Sequence, residues 1–189
     1  RDPSSAASDV YKRQELIIGV SSGLLLKILF ASAELAGEKI AASTGLSFAG
    51  LIDPESGAQT PVISQIFSMF MLLTFLSLNG HLVALSILLE SYKIFPIATS
   101  GFNLSIIKLG IDAGGLMFKF GALIMLPVVV GITLLNVVIG IVTRSAPSLN
   151  LFSFGFPITM ISAFILLYLC TATIGGNFYN VAEVGLDFI

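Results

Sequence analysis

Long uncharged apolar runs organise this chain. Ser56 to Leu89, Phe120 to Thr143 and Ser145 to Ala182 contain no Asp, Glu, Lys or Arg. Runs of this length without alternation argue against strands and predict helices. Leu16 to Ile40 is also apolar but carries Lys27, Glu34, Glu38 and Lys39. At about 1.5 Å per residue it reaches across a bilayer, yet each ionisable group is costly at the midplane. Lys27 and Glu34 share one helix face, which must meet protein or water. Val62 to Leu89 reads as one long helix whose character changes at Asn79-Gly80-His81, with Lys93, Pro96 and Gly101 marking its end. Residues 104 to 115 form a weaker amphipathic segment with Lys108 and Asp112 at i,i+4. Phe120 to Thr143 and Leu149 to Ile174 are joined by the turn Arg144-Ser145-Ala146-Pro147-Ser148-Leu149-Asn150 and predict an antiparallel hairpin over 116–174. After Gly175-Gly176 a mixed tail follows. The expectation is about four long apolar helices plus the weaker segment, with no internal repeat.

Composition makes these membrane helices. Hydrophobic residues are 56% of the chain, charged residues 11%, and the mean hydropathy is +1.00. Soluble domains carry about 25% charged residues. The predicted class is an all-α integral membrane protein of long apolar helices with a C-terminal helical hairpin. A net charge of −2 gives no reason to expect nucleic acid as a partner. Cys170 is the single cysteine, so no disulfide within the chain is possible, and it reads as a small core hydrophobe. Lys27, Lys39, Lys93, Lys108, Lys119 and Arg144 are scattered over successive connections, so basic residues set no orientation. Residues 1–14 are polar and aperiodic, and the change at Glu15 is abrupt. They read as a non-native flank on a chain that was longer at its N-terminus.

No catalytic, metal or cofactor constellation is visible. His81 is the only histidine and has no second ligand cluster beside it. Flanked by Asn79 and Gly80, it reads as part of a helix distortion in which side chains hydrogen-bond a neighbour, with a proton relay as the alternative. The glycines at 110, 114 and 115 match no phosphate-binding spacing. Glu34 and Glu38 lie at i,i+4 and read either as a helix end emerging into water or as a cation or proton site. Pro127 and Asn136 either bend their helix or kink it to line a cavity. The connection from Gly45 to Pro61 is the outlier. It carries Leu46, Phe48, Leu51 and Ile52, which a water-facing connector has no reason to hold. Asp53-Pro54-Glu55-Ser56-Gly57 is its turn. A loop that merely packs, re-entrant or interfacial, is the plain reading.

Several ordered motifs carry a resemblance. They are Ala36-Gly37-Glu38, Gly45-Leu46-Ser47-Phe48-Ala49, Asp53-Pro54-Glu55-Ser56-Gly57, Pro61-Val62 and Phe75-Leu76-Ser77-Leu78-Asn79-Gly80-His81-Leu82. Glu90-Ser91, Phe95-Pro96-Ile97, Leu135-Asn136, the turn from Arg144 through Pro147 to Asn150, and Gly155-Phe156-Pro157 continue it. From about Glu15 onward the chain resembles the FliR family of type III export-gate subunits, and its loop is similar to the flagellar rather than the injectisome branch. The resemblance implies a non-enzymatic subunit of the bacterial inner membrane and flagellar basal body. Its implied partners are FliP-like, FliQ-like, FlhB-like and FlhA-like proteins, and unfolded flagellar proteins are exported through the assembly. It also implies a FliP-like part over 15–115, a FliQ-like hairpin and tail over 116–189, and apolar helices before Glu15. The loop 45–61 then resembles a pore plug, with Gly45, Leu46, Phe48, Gly50, Leu51, Ile52, Asp53 and Pro54 as its sealing and turning residues. Apolar side chains can close a narrow channel by excluding water. A virulence injectisome subunit and a proton-coupled transporter using Glu34, Glu38 and His81 are the alternatives, the latter opposed by the missing repeat symmetry.

Overall fold

The computed structural model describes residues 3–46, 61–94, 104–145 and 154–188. Every element among them is a helix: α1 (Pro3–Thr44), α2 (Val62–Ser77), α3 (Gly80–Ile94), α4 (Leu104–Ser145), α5 (Phe156–Leu169) and α6 (Thr171–Phe188). Helices α1 and α4 have 42 residues each, so each is roughly 63 Å long.

Stripes of buried residues at helical spacing bring the helices together. On α1 the stripe is Leu29, Ser32, Ala33, Ala36, Ile40, Ala41 and Thr44. Its small side chains let neighbouring backbones approach closely, as membrane helices favour. It meets Phe120, Ile124, Val128 and Ile132 of α4 and Ile63, Phe67, Met71 and Phe75 of α2. Phe178, Val181 and Ala182 of α6 complete the core. Phe67 packs edge-on against Phe178, and Phe30 against Phe75, each with ring centres 5.5 Å apart.

Contacts fix the directions. Gly121 of α4 faces Ser32 and Leu35, while Asn136 bonds Ser43, so α1 and α4 run parallel. Ser64 bonds Glu34 whereas Phe75 meets Phe30, so α2 returns antiparallel to α1. Thr159 bonds Thr44 while Gly185 faces Leu29, so the α5–α6 path also returns along α1. The order of one long helix followed by a bent pair therefore occurs twice, with bends of 67° and 63°. This architectural repeat was not expected from the residues.

The structure corrects four boundaries, the first being the start of α1, which lies at Pro3 and not near Leu16. The run from Val62 to Leu89 is two helices, because Asn79 adopts a left-handed backbone with φ 55°. Its N–H donates to Leu76 O at 3.0 Å, and its carbonyl accepts from Leu82 and Val83 at 2.8 and 3.2 Å. One residue thus closes α2 and opens α3 through its backbone, so the distortion needs no side-chain bond to a neighbour. The segment at 104–115 is continuous with the next helix, since between 104 and 145 only Pro127 lacks a donor to the helical ladder. The second arm of the hairpin turns at Cys170, and Gly175-Gly176 lies inside α6 instead of ending a helix.

Pro127 leaves the Leu123 carbonyl without its usual partner four residues on. Asn177 of α6 donates to that carbonyl at 2.7 Å, and α4 runs on through the proline. Among the described residues, one helix is long and apolar enough to cross a membrane, Gly110–Ser145, or up to three spans if each bent pair counts as one. Only 17% of the apolar stretch of α4 is buried. Leu126, Leu134, Val138 and Ile141 of α4 and Ile161, Phe164 and Ile165 of α5 lie exposed. Apolar surface of this extent belongs against lipid or protein.

Candidate functional site

The outlying connection leaves α1 at Gly45 and enters α2 at Pro61. Among the described residues its two ends rest on α1. The last four carbonyls of any α-helix lack intrahelical donors, and on α1 all four are satisfied. Thr44 Oγ1 donates to Ala41 O at 2.9 Å, and the Gly45 N–H donates to Ala42 O at 3.3 Å. Asn136 Nδ2 of α4 donates to Ser43 O at 3.2 Å, and Thr159 Oγ1 of α5 lies 3.4 Å from Thr44 O. Thr44 Oγ1 also accepts from the Leu46 N–H at 3.4 Å. Gly45 is buried at φ 81°, the left-handed conformation that ends many helices and that glycine adopts without a Cβ penalty. Leu46 packs against the core.

The far end is fixed as firmly. The Pro61 carbonyl accepts from Ser64 and Gln65 at 2.9 and 3.2 Å, opening α2. The Ser64 hydroxyl donates to Glu34 O at 2.9 Å instead of capping its own helix. Gly37 faces the same turn: a Cβ built there would overlap Ser64 Cα and lie 2.7 Å from its N. Gly37 and Thr44 are seven residues apart on α1, so the connection departs and returns within roughly 10 Å along that helix. Phe48, Gly50, Leu51, Ile52, Asp53 and Pro54 lie outside the described residues, as does Pro147.

The remaining predicted residues do not converge. Lys27, Glu34 and Glu38 are exposed on α1, and a Glu34 carboxylate oxygen accepts from Ser68 at 3.2 Å. The Phe30–Phe75 contact sets the start of α3, with Gly80 and exposed His81, about two turns of α1 away from Glu38. Arg144 is exposed in the last turn of α4, where a cation complements the helix dipole. Pro157 stands in the first turn of α5, where its missing N–H costs nothing. Among the described residues no group of three His, Cys, Asp or Glu side chains is placed to hold a metal ion.

Sequence reasoning missed Thr44, Ser64, Thr159 and Asn177, and weighed Asn136 only as a source of a kink. A signal existed for Thr44, since a residue before Gly at the close of a helical run marks a C-terminus. The partners of Asn136, Thr159 and Asn177 depend on tertiary packing.

Helices of this length, apolar on their outer faces and joined by hydrogen bonds at their breaks, define an all-α membrane protein. Residues 3–184 match the family of bacterial export proteins, family 1. The chain is 37% identical to the flagellar biosynthetic protein FliR of Escherichia coli (strain K12) over 147 residues, 78% of this chain and 56% of that protein. It is 31% identical to FliR of Bacillus subtilis (strain 168) over 92% of this chain and 68% of that protein. With FliR of Aquifex aeolicus (strain VF5) the identity is 32% over 95% of this chain and 71% of that protein. The chain belongs to the FliR family of bacterial export proteins. It spans little more than half the length of the E. coli relative.

Proposed function

We propose that this chain is part of a non-enzymatic subunit of the flagellar type III export gate, lining the channel through which unfolded flagellar proteins leave, with loop 45–61 as the plug. The gate sits in the bacterial inner membrane at the flagellar basal body, and the partners are FliP-like, FliQ-like, FlhB-like and FlhA-like subunits. Residues 15–115 act as the FliP-like part and 116–189 as the FliQ-like part. The names of the relatives support the flagellar branch. The observation that carries the plug reading is the mount of the loop. An apolar connection leaves α1 at Gly45 and enters α2 at Pro61, two well-bonded points beside the same stretch of α1. A seal mounted at both ends on such a base stays in register with the helices that hold it. Apolar constrictions close pores by expelling water. Helices roughly 63 Å long also exceed the roughly 30 Å of a bilayer core, which suits an assembly that rises beyond the membrane.

The test is passive ion permeability of cells carrying the full-length protein with Phe48, Leu51 and Ile52 changed to Ser. Leakage through the assembled, resting gate rises on this reading. Unchanged leakage with the complex intact overturns the plug.

A further inference from the structure

We propose that Asn136 and Thr159 are positioning residues: they tie the α4–α5 half of the chain to the last turn of α1 and set the direction in which the chain leaves that helix at Gly45. The hydrogen-bond account at the α1 terminus carries this. Local groups satisfy two of the four terminal carbonyls, at Ala41 and Ala42. The other two, at Ser43 and Thr44, are met by side chains 93 and 115 residues further along the chain. A helix that ends in a Thr-Gly pair can finish its own last turn with backbone N–H groups. Here the Leu46 N–H is diverted to Thr44 Oγ1, and the outer carbonyls are left to another part of the molecule.

Asn136 is the stronger of the two partners. Its amide hydrogen is free to point at Ser43 O, whereas the single Thr159 proton is shared with Phe156 O at 2.9 Å. Asn136 stands among exposed Leu134, Val137 and Val138, a neighbourhood that offers an amide no other role. Thr159 is only 6% exposed, so its hydroxyl has no water to turn to. A shift of α4 and α5 relative to α1 breaks both bonds together and frees the turn that holds Gly45 at φ 81°. Its consequence for permeability rests on the plug reading, but the tie itself does not.

The test uses the full-length protein in its purified gate complex, with hydrogen exchange read over residues 41–46 and ion permeability read in cells. The variants are Asn136→Leu, Thr159→Val and Thr159→Ser. Exchange at the Gly45 and Leu46 amides rises about five- to tenfold in Asn136→Leu, the change expected from losing one net hydrogen bond. It rises less in Thr159→Val and stays at the parental rate in Thr159→Ser, while residues 33–40 do not change. Exchange at 41–46 that stays parental in Asn136→Leu overturns the proposal, and so does a rise spread evenly along α1. Faster exchange at 41–46 with unchanged permeability upholds the tie and sinks the plug.

Discussion

Changing Asn177 to Leu tests whether α4 passes through its proline because another helix supplies the missing partner. Pro127 has no N–H, so the Leu123 carbonyl, four residues earlier, loses its helical donor. The Asn177 amide stands 2.7 Å from that oxygen. Leu is close to Asn in size, so the substitution removes the donor with little change in volume. An unsatisfied buried carbonyl costs about 1–3 kcal/mol, and interhelical bonds measured in membrane proteins average about 0.6 and reach about 1.7 kcal/mol. Leu123 is 45% exposed, yet the surface around it is apolar, so lipid or protein and not water is its alternative. The expected loss is therefore about 1–2 kcal/mol. The control is Pro127→Ala, in which residue 127 regains an N–H and bonds Leu123 O within the helix. In that background Asn177→Leu should cost only a few tenths of a kcal/mol. Reversible unfolding of the full-length protein in mixed SDS micelles, followed by circular dichroism, measures all four corners of the cycle. Non-contacting sites add within about 0.3–0.5 kcal/mol, so a coupling near 1 kcal/mol is resolvable. Equal losses from Asn177→Leu with and without the proline would refute the idea that this amide compensates for it.

Further outcomes follow from the space around single positions and from backbone conformation. Gly37→Ala is expected to destabilise by about 1–3 kcal/mol in the same unfolding assay, because the added methyl meets Ser64 backbone, which cannot rotate away. Gly140→Ala, with nothing within 4 Å of the new atom, is expected to stabilise by about 0.5–1 kcal/mol through helix propensity and reduced freedom of the unfolded chain. At the α2–α3 break, Asn79→Gly is tolerated, whereas Asn79→Val costs about 1–2 kcal/mol or more through its left-handed backbone. Gly80→Ala is disruptive there as well, since the new methyl lies 2.5 Å from the ring of Phe75, itself held against Phe30. Thermal or SDS unfolding midpoints separate these variants.

The helical class and both ends of the loop were legible because they depend on local chemistry. Uncharged runs mark apolar helices, Thr44-Gly45 ends one, and Pro61 starts another. The bends were less legible. Asn79-Gly80 signalled trouble, but a distorted single helix and a true break share that signal until φ at Asn79 is known. Cys170 carries no turn signature at all, while the obvious punctuation at Gly175-Gly176 has no effect: both glycines face open space on α6 and leave its ladder intact. Glu34 was read as an intramembrane charge or a helix end. Its setting turns on Ser64 and Ser68, which reach it from α2, and no pattern within α1 announces them.

Four polar residues inside the uncharged runs, Asn79, Asn136, Thr159 and Asn177, share one physical task. An apolar medium supplies no donors, so each irregularity in a helix must be answered by the protein itself. Asn177 answers the gap that Pro127 opens in α4, and Asn136 with Thr159 answers the end of α1. Asn79 answers the break between α2 and α3 with its own backbone. The transporter reading couples protons through Glu34, Glu38 and His81 and needs them to meet. Instead Asn79, Asn136, Thr159 and Asn177 sit at breaks and joints of helices, and Glu34, Glu38 and His81 lie exposed. On the proposed export-gate reading, joints that small shifts of whole helices can unmake are where the chain would yield, and the joint at Gly45 is the one from which the loop departs.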